Sequence, residues 1–231
     1  MDLSLSTLKK AIIVSEPIKI KVFISYSTKD SVLAGRVKDY FEKCIGFEVF
    51  LAHDDLKASN DWPKEILNNL QNTDFVIPLL SKHFLKSFFA NQELGIAFYK
   101  NLKIIPFSLD GTNSDSFIRN IQAYKSKTWT DNEIVRAVTI VFLLTLVDPG
   151  YIKYQKQALD SLVNSLLKSD SKRTTAFIFN IFVQTKDKFI LKKYQIELVK
   201  KACKENAFVY NAAIPFPKLK KFLLDNYNVF V

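Results

Sequence analysis

The chain has 231 residues, an apolar fraction of 48% and a formal net charge of +10 at pH 7, which is the composition of a folded globular protein rather than a disordered one. Its five glycines, at positions 35, 46, 95, 111 and 150, are too widely spaced for a G-x-G-x-x-G turn or a P-loop, so those two phosphate-binding motifs are excluded. Two His and two Cys supply few of the ligands that tetrahedral zinc sites use, and we expect no metal site.

The sequence predicts a cytoplasmic protein without membrane contact. Its longest apolar run, Ala137 to Val147, is far shorter than the roughly 20 residues that span a bilayer. Residues 1–17, which we expect to form an N-terminal extension, lack the order of charged and apolar residues found in a signal peptide. Cys44 and Cys203 stand alone in the sequence and are expected to be reduced, buried thiols, as is usual in a reducing compartment.

Apolar runs of strand length alternate with helical patterns through the first two thirds of the chain. Strands are predicted at 18–25, 47–52, 74–80, 103–109 and, more briefly, 126–129. Helices are predicted along the apolar stripe from Leu33 to Cys44, with Asp30 or Ser31 as its cap and Gly46 as its end, then after Asp61, at 88–100 and at 131–146. Such alternation predicts an α/β fold with a mostly parallel five-stranded sheet and helices on both faces. Ligands of these sheets bind beyond the carboxyl ends of the strands, which directs attention to residues 26–30, 53–62 and 81–89.

The pattern changes after Asp148-Pro149-Gly150, which marks a break in the chain. Helical spacing is found at 151–167, 194–203 and 216–226, whereas 176–183 fits either a helix or a strand. We therefore expect residues 148–231 to form a small, mainly helical accessory domain. Residues 131–231 hold 16 basic and 9 acidic side chains, a net of +7. Solvated helix faces explain this excess more simply than nucleic-acid binding does. The role expected for this region is contact with a sensor or effector protein, or oligomerisation.

Four segments carry a further pattern on this alternation of strands and helices. They are Val22-Phe-Ile-Ser-Tyr-Ser-Thr-Lys-Asp30, Phe50-Leu-Ala-His-Asp-Asp-Leu-Lys-Ala-Ser-Asn-Asp-Trp62, Phe75-Val-Ile-Pro-Leu-Leu-Ser81 and Ser87-Phe-Phe-Ala-Asn-Gln-Glu-Leu-Gly-Ile-Ala97. In this order and spacing they resemble the Toll/interleukin-1 receptor (TIR) domain family, the last segment in its bacterial form. The resemblance covers about residues 18–147 and implies a flavodoxin-like fold there. The last third of the chain lies outside it.

The resemblance implies one of two functions. Many TIR domains, bacterial ones especially, cleave NAD⁺ between nicotinamide and ribose, whereas others are scaffolds that pair with further TIR domains. For the enzymatic function, the family's catalytic carboxylate corresponds to Glu93, its usual Trp one turn earlier to Phe89, and the aromatic that ends its BB loop to Trp62. Further expected substrate-binding residues are Ser25, Tyr26, Asp30 and Ser81, and the expected BB-loop residues are His53, Asp54, Asp55, Leu56 and Lys57.

The chemistry suits these positions. Phe89 and Glu93 are four residues apart and so share one face of a helix. Breaking the bond to the pyridinium builds positive charge on the ribose carbon, which an anionic Glu93 stabilises directly or through the ribose hydroxyls. Nicotinamide leaves as a neutral molecule, so no general acid is required. Water or the substrate's own adenine then takes the ribosyl cation, giving ADP-ribose or a cyclic isomer, and NAD⁺ is a substrate rather than a cofactor.

Simpler interpretations exist for the same residues. Glu93 would then be a solvated carboxylate on the surface of its helix. Phe89 would be a core residue, and Trp62 would only cover the start of its helix. The bacterial form of the last segment and the Lys-, Asn-, Ile- and Phe-rich composition indicate a bacterial protein, for which we expect a role in defence against phage. The resemblance further implies a homo-oligomer formed through TIR–TIR contacts.

Overall fold

A computed structural model describes residues 19–52, 62–114 and 116–231; the expected N-terminal extension lies outside them. The strands are β1 Lys21–Ser25, β2 Glu48–Leu51, β3 Phe75–Leu80, β4 Lys103–Ile104, β5 Phe107–Ser108 and β6 Tyr124–Lys125. The α-helices are α1 Ser31–Ile45, α2 Trp62–Gln71, α3 Phe88–Tyr99, α4 Asp131–Val147, α5 Gln155–Leu167, α6 Lys172–Thr185, α7 Lys193–Glu205, α8 Ala207–Tyr210 and α9 Pro215–Tyr227.

The described strands form one parallel sheet in the order β2-β1-β3-β5-β6, with β4 also paired to β3. This is the doubly wound order of flavodoxin-like folds, whose ligands bind where the strand order reverses. Here the reversal falls between β1 and β3, which pair from Val22 opposite Phe75 to Ser25 opposite Pro78. The predicted α/β class and parallel sheet are confirmed.

Two strand predictions need correction. The predicted strand 103–109 is interrupted at Pro106, which has no backbone N–H to donate, and its two halves pair separately with β3. The last strand is Tyr124–Lys125 rather than 126–129, because the Ser126 hydroxyl and the Thr128 backbone bond to each other in a turn. Trp129 packs instead on Phe107, with ring centroids 5.5 Å apart.

Alternate side chains of the strands enter two separate cores, as the period-two geometry of a strand requires. On β1, Val22 and Ile24 face α1 and α4, whereas Phe23 faces α2 and α3. All six residues of β3 are buried, which is the pattern of a parallel strand covered on both sides. The sheet therefore has a face toward α1 and α4 and a face toward α2 and α3.

Helices α5 to α9 pack over the α1 and α4 side of the sheet, and residues 176–183 belong to helix α6. Apolar residues from both sides of position 148 form one buried cluster. Contacts between the two parts include the stacked rings of Phe75 and Tyr151, 4.8 Å apart, and a 2.7 Å hydrogen bond from the Tyr154 hydroxyl to Asp74. That 148–231 forms a domain of its own stays a prediction.

Within the described ranges, no single helix is long and apolar enough to cross a membrane. The helical stretches Asp131–Val147 and Ile152–Leu167 meet that criterion only together, and they are bent by 101° at the break between them. Much of each helix is buried in the core.

Gly46 offers a test of how α5 packs on α1. It ends α1 in the left-handed region, at φ +68°, and a Cβ there would lie 2.8 Å from Ser165 Oγ and 3.0 Å from the Ser161 carbonyl oxygen of α5. Gly111, at φ +85°, also lies in the left-handed region, but an added Cβ there would meet no atom of the described residues within 4 Å. Gly111→Ala is expected to lower the free energy of unfolding by about 1–2 kcal/mol, from backbone strain alone.

Gly46→Ala is expected to cost at least about 1 kcal/mol more than Gly111→Ala, since it also forces α5 from its place. Urea unfolding of the two variants and the parent measures both losses. Equal losses would contradict the close contact between the end of α1 and α5.

Candidate functional site

Glu93 is held on the inner face of α3, the helix that follows β3. Ser87 caps the helix by accepting a hydrogen bond from the Ala90 backbone N–H, which is the usual function of Ser at this position. Ala90, Leu94 and Ala97 pack against the sheet, and Glu93 lies on the same side with 2% of its surface exposed. A carboxylate is therefore placed among apolar neighbours instead of in solvent.

Glu93 is joined to the end of the first strand. The Ser25 hydroxyl donates a 2.6 Å hydrogen bond to Glu93 Oε2, and both residues are buried. Among the described residues, Glu93 Oε1 has no hydrogen-bond partner, although that atom is buried as well. One carboxylate oxygen is thus fixed by Ser25, and the other is left for a group that the described part of the chain does not supply.

Burial controls the ionisation of this carboxyl group. Desolvation raises the pKa of Glu93 to about 7, and the hydrogen bond from Ser25 opposes this rise without cancelling it. Burial raises a carboxyl pKa because the charged form loses its hydration. Perturbed carboxyl groups of this kind are frequent at functional sites, although structural networks also produce them.

Glu93 borders a cleft of about 640 Å³ between α2 and α3. Its other lining residues are mainly apolar or aromatic, including Ile66, Leu67, Phe89, Ile96, Tyr99 and Phe117. Phe89 is 44% exposed, so it is not a core residue, and its ring is accessible from the cleft. The cleft thus combines one ionisable carboxyl group with walls suited to flat apolar rings.

Ser81 and Asp30 form a second polar pair at the carboxyl end of the sheet. The Ser81 hydroxyl donates a 2.6 Å hydrogen bond to Asp30 Oδ2 and accepts bonds from the backbone N–H groups of His83 and Phe84. The pair links the residue after β3 to the start of α1. Neither residue is among those described as lining the cleft.

The remaining predicted site residues fall into two groups. Tyr26 is fully buried in the core on the α1 and α4 side of the sheet, away from the cleft lining. Trp62 begins α2, and its side chain lies outside the described part, as do the BB-loop residues His53, Asp54, Asp55, Leu56 and Lys57. Their roles in substrate binding stay predictions, as do those of Tyr26, Asp30 and Ser81.

Sequence reasoning missed part of the cleft wall and the pairing of Ser25 with Glu93. Phe89, Gln92, Ile96 and Tyr99 follow one another at spacings of three and four, the pattern of one helix stripe, so that stripe was readable from the sequence. The contributions of Leu67 and Phe117 depend on how distant elements pack and carry no such signal.

Within the described ranges, no cluster of three or more His, Cys, Asp or Glu is arranged to hold a metal ion.

Comparisons with known proteins identify the family of the chain. The family model of the TIR domain matches residues 22–139, about half of the chain, and the chain therefore belongs to the TIR domain family. Among solved structures, it is similar to the TIR domain of the Toll-related receptor TRR-2 from the lower metazoan Hydra magnipapillata. That similarity has 21% identity and a TM-score of 0.42 and covers 51% of this chain and 89% of the other. No curated protein matches the sequence.

The buried carboxyl group makes a prediction about stability. The pKa of Glu93 is raised in the folded protein to about 7 from its ordinary value of 4.5, so between these pH values the folded state keeps a proton that the unfolded state has lost. The contribution of Glu93 to the free energy of unfolding therefore falls as pH rises through this window. Glu93→Gln removes the titrating group and should be increasingly stabilised relative to the parent, by up to about 3 kcal/mol at pH 8.

Urea unfolding of both proteins at pH 5 and pH 8 measures this difference. Other titrating groups are common to both proteins and cancel in the comparison. A difference between them that is the same at both pH values would show that Glu93 does not titrate as described.

Proposed function

We propose that this TIR domain protein cleaves NAD⁺ at the bond between nicotinamide and ribose, with Glu93 as the catalytic carboxylate. The observation that carries the proposal is the state of Glu93: buried, held at Oε2 by Ser25, without a described partner at Oε1, and bordering a cleft with aromatic walls. A scaffold has no need for such a carboxyl group. An enzyme that stabilises a developing positive charge does.

The proposed reaction follows from the charges involved. As the C–N bond breaks, its electron pair moves onto the pyridinium nitrogen and neutralises it, while positive charge grows on the ribose carbon. An ionised Glu93 attracts that charge more strongly in a buried site than it would in water. Water then adds to the ribose carbon and loses a proton to give ADP-ribose, or the adenine of the same molecule adds to give a cyclic isomer.

Two neighbours complete the proposed site. Ser25 holds Glu93 Oε2, which fixes the direction of the carboxylate and leaves Oε1 for the ribose. Phe89, one turn before Glu93 and partly exposed, offers a flat face for the nicotinamide ring. Phe has a smaller face than the Trp usual in the family, so the stacking area is reduced but retained.

The proposed setting is the cytoplasm of a bacterium under attack by phage, where cleavage would deplete NAD⁺ or produce a cyclic nucleotide signal. The support for this is the bacterial form of the segment from Ser87 to Ala97 and the composition of the chain. We propose that the protein works as a homo-oligomer formed through TIR–TIR contacts. Residues 148–231 would engage the sensor or effector protein that governs it, and no nucleic-acid or membrane partner is proposed.

A non-catalytic scaffold is the second candidate, and one observation favours it. Two pairs of neighbouring aromatic rings at α3 are exposed: Phe88 with Phe89, whose ring centroids are 6.0 Å apart, and Phe98 with Phe117, whose ring centroids are 5.3 Å apart. Exposed apolar side chains that lie close together are frequent at protein–protein contacts. A scaffold of this kind would assemble without consuming NAD⁺.

Release of nicotinamide from NAD⁺ by the purified full chain, followed by chromatography, tests the proposal. The parent should release nicotinamide, and Glu93→Gln should lower kcat at least about 100-fold, because the amide cannot stabilise the ribosyl cation electrostatically. Glu48→Gln is the control, since Glu48 is an exposed carboxylate on β2 far from the cleft and should retain full activity.

Two results would contradict the proposal. Unchanged activity in Glu93→Gln would overturn the assignment of the catalytic residue. Absence of release by the parent across concentrations at which light scattering shows assembly would favour the scaffold.

The pH dependence of kcat/KM should report the ionisation of Glu93 in the free enzyme. Because the ionised form is the active one, kcat/KM should rise with pH and level off above a midpoint near 7.

Ser25→Ala removes a hydrogen bond that favours the ionised form and should move this midpoint to higher pH. Ser81→Ala is matched to it, since that hydroxyl also lies 2.6 Å from a carboxylate, that of Asp30, and should leave the midpoint unmoved. Equal midpoints in all three proteins would exclude Ser25 from setting the ionisation of Glu93.

A further inference from the structure

Gly95 stands in the middle of α3 without a local reason to be glycine. Its backbone is helical, so it is not one of the positions at positive φ, and glycine in a helix interior is less favourable than alanine. A Cβ built at Gly95 would meet no heavy atom of the described residues within 4 Å. Neither backbone conformation nor packing of the described residues therefore requires the absence of a side chain.

The position of Gly95 supplies a different reason. It is part of the lining of the cleft that Glu93 borders, together with Leu67 of α2 and the aromatic residues Tyr99 and Phe117. At Gly95 the bare backbone of α3 forms the surface of the cleft. Any larger residue would extend its side chain into the space of the cleft.

The residues that line the cleft indicate which part of a dinucleotide it can bind. Among the described lining residues, Glu93 is the one ionisable acid or base apart from the Tyr99 hydroxyl, and no Lys or Arg is present. These walls offer no cation to a phosphate group, whereas a bare backbone between apolar side chains suits a flat ring at van der Waals distance. The part of a dinucleotide that fits here is a base rather than the pyrophosphate.

We propose that Gly95 is a specificity-determining residue: it keeps open the surface on which a flat heteroaromatic base of the substrate lies. The proposal rests on the proposed cleavage of NAD⁺ and adds which chemical part of the substrate is recognised by α3. Nicotinamide and adenine share the required flatness, and the experiment separates them.

The test compares Gly95→Ala with Gly35→Ala. Gly35 is also an interior helical glycine at which an added Cβ would meet no atom of the part of the chain that the structure describes within 4 Å, but it lies on α1 and does not line the cleft. Both variants should melt about 2–4 °C above the parent, because alanine is the better helix former. Gly95→Ala should lose at least about tenfold in kcat/KM for nicotinamide release, mainly through KM, since one methyl group then occupies the place of the ring. Gly35→Ala should keep the parent value.

Inhibition of the parent and of Gly95→Ala by free nicotinamide and, separately, by adenosine monophosphate identifies the base. The inhibitor that is weakened by the substitution is the one whose ring lies on Gly95. Full activity and unchanged inhibition in Gly95→Ala would overturn the inference while leaving NAD⁺ cleavage intact. If the variant loses activity only because its assembly state by light scattering changes, Gly95 serves a contact between copies and the inference is wrong.

Failure of the proposed function gives a different result. If the parent releases no nicotinamide, titration of NAD⁺ into the parent and Gly95→Ala by calorimetry still tests Gly95. Binding by the parent that Gly95→Ala loses would support the role of Gly95 although cleavage is wrong. Absence of binding by the parent would overturn both.

Discussion

The hydrogen bond between Ser25 and Glu93 connects the two elements on which the site depends. Ser25 ends β1 and Glu93 lies on α3, 68 residues later in the chain. The bond forms because the sheet order places β1 beside β3, so that the helix after β3 crosses the carboxyl end of β1. The doubly wound topology thus brings a carboxyl group into the sheet crevice, buries it and places the Ser25 hydroxyl where it orients that group.

Helices α5 to α9 pack on the α1 and α4 side of the sheet, and the segment that leads into them contacts the amino ends of the strands. Asp74, just before β3, accepts hydrogen bonds from the Lys21 backbone N–H and the Tyr154 hydroxyl, which ties the segment after α4 to the amino ends of two strands. Asp131 at the start of α4 pairs with both Arg36 of α1 and Arg173 of α6. The helices after residue 148 thereby support the sheet from the side opposite α2 and α3, and within the described residues they leave the cleft at Glu93 uncovered.

The sequence predicted those features whose causes are local. It did not predict the features that depend on how elements distant in the chain pack together. Strand and helix alternation and four ordered segments were sufficient for the fold and for placing Glu93 and Phe89 on one helix. Pro106 itself is a sequence signal for the interruption of its strand. The separate pairing of the two halves with β3 has no such signal. Residues 176–183 could not be assigned because an apolar, β-branched run suits a buried helix as well as a strand. The bond from Ser25 to Glu93 had no sequence signal, since it joins residues that only the sheet order brings together.

Glu93 also separates the two candidate functions on physical grounds. A buried acceptor atom without a partner, as Glu93 Oε1 is among the described residues, destabilises the folded state, and an apolar residue in its place would avoid that cost. A scaffold gains nothing from keeping such a group, because contacts between domains require a suitable surface rather than an ionisable interior. A catalytic site gains directly, since a desolvated carboxylate that is weakly satisfied in the free protein interacts most strongly when positive charge develops beside it. The Oε1 atom of Glu93 therefore lowers the stability of the folded state and, for the same reason, is the main support for the proposed catalysis over the scaffold.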